Sequence, residues 1–338
     1  MKAITALGPS PAHPDGLLRD TTMSFPPLAG PRDLRVRVEA VAVNPVDLKV
    51  RGTLPGEGPP RVLGWDAAGV VEAVGEAVER FRVGDAVIFA GASQRPGCQA
   101  QSVLVDARLV GRQPANASFA EAAALPLTGL TAWEALFERL GLDAGGDDAG
   151  RTLLILGAAG GVGSMAIQLA RRAGLRVIAS ASRPQSQAWV KRLGATAVVD
   201  HSQPIGPQLD ALGLEAVDAI ANVHDTDRYW SLMAERIRPQ GSIVALVSSR
   251  GPLDLNPLKS KSVRFCWEYM FTRPDHQTAD MAEQGAILDR LADGVEAGTL
   301  ISTAQTHLEP ICAATLNEAY TLLRSGHSLG KIVISGWG

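Results

Sequence analysis

The stretch RTLLILGAAGGVGSMAIQLARRAG, residues 151–174, decides how this chain is read. An apolar run, RTLLILGA (151–158), leads into the glycine cluster GAAGGVGS (157–164). Behind it Val162, Met165, Ala166, Leu169, Ala170 and Ala173 recur at three-and-four spacing. The pattern is a strand, a tight turn and an amphipathic helix. Glycines in such a turn let the backbone approach a pyrophosphate, and the unpaired N–H groups and positive dipole end of the helix attract it. Gly160, Gly161 and Gly163 are assigned to turn, phosphate approach and helix packing, with Val162 between them. Glycine also closes ordinary strand-to-helix connections, so the weight rests on the strands that follow.

Those strands are LRVIAS (175–180), ATAVVD (195–200), AVDAIANV (216–223), GSIVALVS (241–248) and SVRFCWEY (262–269), and helical stretches separate the first five strands of the series. Strand and helix in alternation specify a parallel α/β sheet. Upstream the texture differs: short Val-rich runs, LRVRVEAVAV (34–43), AAGVVEAV (67–74) and DAVIFA (85–90), are broken by Gly and Pro. Downstream a helix (276–297), the strand TAQTHLE, a helix (311–324) and the strand KIVIS close the chain. The expected organisation is a nucleotide-binding unit, 126–270, inserted into a module made of 1–125 and 271–338.

Cofactor preference is written at the end of the second strand, where NAD sites place a carboxylate for the ribose 2′-hydroxyl. Here the segment is ASASRPQSQ, with Ser180, Ser182 and Arg183 and no acid. Two hydroxyls and a guanidinium suit a 2′-phosphate and hence NADP(H). The competing reading is that Ser182-Arg183-Pro184 only opens the next helix. Asn222 ends the fourth strand and Val247 and Ser248 end the fifth. All lie at the carboxyl edge, where open α/β sheets bind ligands. His201, after the third strand, either flanks the adenine or is a solvated loop residue.

Composition narrows the field. The 338 residues are 46% hydrophobic and 20% charged, with net charge −3, so no basic field exists to hold nucleic acid. No apolar run has bilayer length and the N-terminus lacks a signal-peptide pattern, so no membrane partner and a cytoplasmic location are expected. Cys98, Cys266 and Cys312 are too far apart for a CxxC-based zinc site.

Together with VNPVDLKVR (43–51), VLGWDAAGVVEAVG (62–75), GDAVIFAG (84–91), AAALPLTGLTAWEAL (122–136), ASRPQSQAW, LGATAVVDH and WEYMFTR (267–273), the chain resembles the medium-chain dehydrogenase/reductase superfamily. Within it the resemblance is to zinc-type alcohol dehydrogenase-like and quinone oxidoreductase-like proteins, over nearly the whole length. It implies a GroES-like substrate domain built from both chain ends, a Rossmann domain between, and hydride transfer from NADP(H) in a cleft. It also implies a homodimer paired through the 262–269 edge strand, where Val263, Phe265, Trp267 and Tyr269 alternate, and places Thr128 beside the nicotinamide. Taken alone, Thr128 reads as a helix-cap residue.

Where zinc-dependent relatives carry metal ligands, this chain has Asn44, Trp65 and about Ala124, so no catalytic zinc is expected. Where zinc-independent relatives often carry a tyrosine, it has Lys49. Asn44, Asp47, Lys49 and Trp65 are therefore the candidates for the reacting side, with Asp66 a candidate partner for Lys49 or the Asn44 loop. Asn44-Pro45-Val46-Asp47 also reads as a plain helix start. The expected reaction is hydride transfer to a quinone or α,β-unsaturated carbonyl. The alternatives are a ketone or aldehyde dehydrogenase, or an NADPH-binding sensor without turnover.

Overall fold

The computed structural model describes all residues, Met1–Gly338. In chain order the first elements are β1 (Lys2–Leu7), β2 (Leu17–Thr22), β3 (Asp33–Ala42), α1 (Pro45–Thr53), β4 (Arg61–Val62), β5 (Ala67–Val74), β6 (Ala86–Phe89), β7 (Ser102–Asp106), β8 (Val110–Arg112), α2 (Phe119–Ala123) and α3 (Pro126–Trp133). The next are β9 (Thr152–Leu156), α4 (Gly161–Arg172), β10 (Arg176–Ser180), α5 (Pro184–Arg192), β11 (Ala197–Val199), α6 (Ile205–Ala211), β12 (Val217–Asn222), α7 (Thr226–Arg236), β13 (Ile237–Ala245), α8 (Asn256–Lys259) and β14 (Arg264–Trp267). The chain closes with α9 (Thr272–His276), α10 (Glu283–Glu296), β15 (Ala304–Leu308), α11 (Ala313–Arg324) and β16 (Lys331–Ser335).

Two compact units result, Met1–Leu130 with Phe271–Gly338, and Thr131–Met270, the divide falling inside α3. In the second unit six parallel strands stand in the order β11-β10-β9-β12-β13-β14. The order reverses direction between β9 and β12, which sets the switch point of a doubly wound sheet. Buried on both faces, these strands read as continuous apolar runs, and Leu154, Leu156, Ile178, Ile220 and Ile243 pack in the core. No helix is long and apolar enough to cross a membrane.

The first unit is mainly antiparallel. Its larger sheet runs β15-β16-β3-β5-β6-β8, with β7 also on β3. The C-terminal β16 pairs antiparallel with β3, Val333 opposite Ala42, so the chain's last strand completes a sheet opened by its third. Three boundaries differ from expectation: β13 begins early at Ile237, the helix predicted over 276–297 begins only at Glu283 as α10, after a separate short α9 that ends at His276, and β14 spans only four residues.

Residues Glu134–Arg139 form a π-helical stretch that periodicity did not announce. The side chains of Glu134 and Glu268 are fully enclosed, with Arg139 Nε 2.9 Å from Glu268 Oε2. Burial, then the neighbouring Glu134, pushes Glu268 up to about 9. Two enclosed carboxyls cannot both ionise at contact, so the pair keeps a proton at neutral pH.

Candidate functional site

In the second unit the glycine turn joins β9 to α4, and its glycines divide by surroundings. A Cβ on Gly163 would lie 2.5 Å from Ala158 Cα, so this glycine lets the helix pack on the turn. A Cβ on Gly160 would meet only Gly157 O, at 3.7 Å, so that position faces room rather than packing. Gly160, Gly161 and Val162 are half-buried at the start of α4. Open room beside glycines at a helix N-terminus fits a pyrophosphate.

Around this turn some expected ligand residues are committed to the fold. Ser180 is buried and its Oγ accepts the Gly157 N–H at 2.9 Å, tying β10 to the turn. This bond uses a lone pair of the Ser180 oxygen and leaves its O–H as a donor. Asn222, fully buried, donates from Nδ2 to Thr226 Oγ1 at 3.2 Å and accepts the His224 N–H at 3.3 Å. Thr226 in turn donates to Val247 O at 2.5 Å. These bonds hold the ends of β12 and β13 to α7. Ser182, Arg183, His201 and Val247 are half-buried and Ser248 is exposed, all beyond the carboxyl ends of their strands.

In the first unit α1 begins after Asn44, but the Asn44 side chain does not cap it. Asp47 Oδ2 accepts the Asn44 N–H at 2.9 Å. The Asn44 amide turns inward, Nδ2 donating to Asp66 Oδ2 at 2.9 Å and, at 3.5 Å, to Ala42 O. Its Oδ1 accepts from Lys331 Nζ at 2.5 Å. Lys331 also donates to Val43 O at 2.9 Å and lies 2.8 Å from Asp66 Oδ2. Asp66 Oδ1 accepts the Leu127 N–H at 2.8 Å. Asn44, Asp47, Asp66 and Lys331 are all buried. Burial drives the Asp66 carboxyl upward, opposed by Lys331, the Leu127 N–H and Asn44. For Asp47 burial prevails and pushes the carboxyl up to about 7.

This network corrects several expectations. Asn44 has no N–H left for a substrate, because its donors go to Asp66 and Ala42. Asp66 joins the Asn44 loop but takes Lys331, not Lys49, as its cation. Trp65 is 1% exposed, donates from Nε1 to Ala92 O at 3.1 Å and packs edge-on against Phe271, which makes it core. Thr128 is buried and its hydroxyl donates to Ala124 O at 3.1 Å, tying the first turn of α3 to the end of α2. Lys49 stands exposed on α1. Sequence reading missed Lys331, and nothing local announces it: a lysine opening an apolar strand looks like an ordinary solvated end.

The expected zinc position can be tested against these donors. An ammonium group fills the space between Asn44 and Asp66, and Asp66 is fully engaged. Cys98, the nearby thiol, is buried, donates to Asp66 O at 3.4 Å, and burial pushes its pKa up, away from the thiolate a metal needs. No group of three or more His, Cys, Asp or Glu has a metal-holding arrangement. The residues present do not fit a tetrahedral zinc site.

Comparison with known proteins places the chain. The family model for the alcohol dehydrogenase GroES-like domain matches residues 30–134, and that for zinc-binding dehydrogenase matches 161–284. A zinc-type alcohol dehydrogenase-like protein of Staphylococcus epidermidis is 40% identical over 304 residues, 90% of each chain. A crystal structure from Rhizobium etli CFN 42, named for the zinc-dependent alcohol dehydrogenases, superposes with TM-score 0.94 at 46% identity, covering 100% of this chain and 98% of that one. The quinone oxidoreductase of Pseudomonas syringae pv. Tomato DC3000 gives TM-score 0.82 at 26% identity, covering 99% and 100%. The chain belongs to the medium-chain dehydrogenase/reductase superfamily, an oxidoreductase with a GroES-like and a Rossmann domain. Within it, it is a member of the zinc-type alcohol dehydrogenase-like, quinone oxidoreductase-like group.

Proposed function

We propose that this chain reduces a quinone or an α,β-unsaturated carbonyl at the expense of NADPH, without zinc, and acts as a homodimer. The observation that carries the zinc-independent part is the Lys331 ammonium lodged between Asn44 and Asp66, since Asn44 is one of the three positions where the resemblance would put a metal ligand. With the charge there already balanced internally, no Lewis acid is available to polarise a substrate oxygen. Reduction at the β-carbon of an enone, or of a quinone, needs less oxygen activation than reduction of a simple ketone. The resemblance to a quinone oxidoreductase points the same way.

Bound NADPH supplies the hydride from its nicotinamide ring. The chain's own part begins with the glycine turn, where Gly160 leaves room and the N–H groups at the start of α4 would hold a pyrophosphate. Ser182 and Arg183 offer a hydroxyl and a guanidinium to the ribose 2′-phosphate. On the other unit Lys49 is the donor left for developing charge on oxygen, since Asn44 is committed and Arg51 is buried, bonding to Gly16 O at 2.7 Å. Such chemistry rests on orientation and water exclusion more than on a strong acid or base.

Steady-state oxidation of NADPH over a panel of quinones, enones, ketones and aldehydes tests the reading. Turnover confined to quinones or enones, unaffected by chelators and reduced roughly tenfold in Lys49→Met, is the expected result. Ketone reduction abolished by chelation would overturn the zinc-independent part, and tight NADPH binding without turnover on any substrate would favour a sensor.

A further inference from the structure

β10 and β11 are parallel neighbours with Ser180 beside Val199, and the Ala181 N–H donates to Val199 O at 2.9 Å. The turn carrying Ser182 and Arg183 thus leaves the sheet next to Asp200 and His201. A third segment arrives from far along the chain: Arg228, in the first turn of α7, donates from Nη2 to His201 O at 2.8 Å. Its guanidinium also lies 5.3 Å from the centroid of the Tyr229 ring and meets no carboxylate.

The acids of this neighbourhood are occupied. Asp200 accepts the Ser202 N–H and hydroxyl at 2.8 and 2.7 Å. Asp225 caps α7 through the Arg228 N–H at 3.0 Å and also faces Arg250, which takes Asp227 as well. Arg250 is paired with the α7 aspartates, whereas the Arg228 guanidinium lies against the Tyr229 ring and His201 O. The charges of Arg228, His224 and Arg183 all bear on His201, which burial first and then Arg228 hold below its ordinary value. His201 Nδ1 is enclosed without a hydrogen-bond partner, which fits the neutral ring. The cationic charge at this spot belongs to the arginines.

We infer that Arg228 is a specificity-determining residue, the second guanidinium of a site for the phosphate monoester on the adenosine ribose, acting from α7 opposite Arg183. This rests on the NADP(H) reading and deepens it. Two arginines, one from the turn before α5 and one from α7, suit a dianion better than one, because each guanidinium presents a fork of N–H donors. An NADH molecule, carrying a hydroxyl at that position, gives Arg228 no anion to meet.

Equilibrium titration of the full-length protein with NADPH, NADH, adenosine 2′,5′-bisphosphate and AMP tests this. In Arg228→Met the NADPH and bisphosphate dissociation constants should rise about tenfold, while NADH and AMP change less than twofold, which also reports an intact fold. Arg228→Lys should restore part of the loss, and the salt dependence of NADPH binding should become shallower in Arg228→Met. If the parent favours NADPH but Arg228→Met leaves the preference intact, or weakens both cofactors alike, the role of Arg228 is refuted and the cofactor reading stands. If the parent binds NADPH and NADH equally, the cofactor reading itself fails and this inference with it.

Discussion

At the residue scale the two glycines of the turn make separable demands. Gly163→Ala drives a methyl into Ala158, and overpacking of this kind costs about 1–3 kcal/mol. Gly160→Ala meets no such obstacle, and its φ of −76° suits alanine. We expect thermal unfolding to shift down in Gly163→Ala and stay near the parent in Gly160→Ala, whereas calorimetric titration should find NADPH affinity lost in Gly160→Ala. Equal melting shifts in both variants would remove the distinction. These glycines were legible because strand, turn and helix lie within two dozen consecutive residues. Asn44 and Trp65 were not, because their long-range partners lie well beyond any local pattern. Each resembles a site residue by position, and only the partner shows it to be spent.

At the scale of elements, α1, β16 and the segment before β5 are joined through Asn44, Asp47, Asp66 and Lys331. Removing the cation leaves buried carboxyls uncompensated, so Lys331→Met should lower the unfolding free energy by about 3–5 kcal/mol in urea titration at pH 7. Asp47 gives the pH signature. Its carboxyl titrates near 7 in the fold against an ordinary 3.8, so between those values the folded state binds more protons than the unfolded one. Stability must then fall as pH rises through that window, at up to roughly 1.4 kcal/mol per pH unit. Asp47→Asn should flatten this slope between pH 4 and 7, and an unchanged slope would assign the titration elsewhere. Strands and helices were largely legible from period and punctuation. The π-helical turn at Glu134–Arg139 was not: no local pattern announces it, and its Arg139 pairs with Glu268 on a distant segment.

At the scale of the whole molecule, β14 ends the six-stranded sheet with its outer hydrogen-bonding edge unpaired. Trp267 is 46% and Tyr269 51% exposed beside it, and Phe265 packs edge-on against Trp267 at 5.2 Å. An apolar sheet edge is a template for pairing, and we expect light scattering at micromolar concentration to give a dimer that Trp267→Lys converts to monomer. A monomeric parent would refute this. The insertion of one unit within the other was readable from the change in sequence texture. The same arrangement also orders events during synthesis. Residues 131–270 emerge as one uninterrupted length, complete before the strand that closes the other sheet exists. Lys331 follows Asn44 by 287 residues, which at ~5–20 residues per second is on the order of 15–60 s of translation. Through that interval Asp47 and Asp66 have been made and their counter-ion has not, so the inserted unit is whole on the ribosome while its host still waits for the charge that lets its core close.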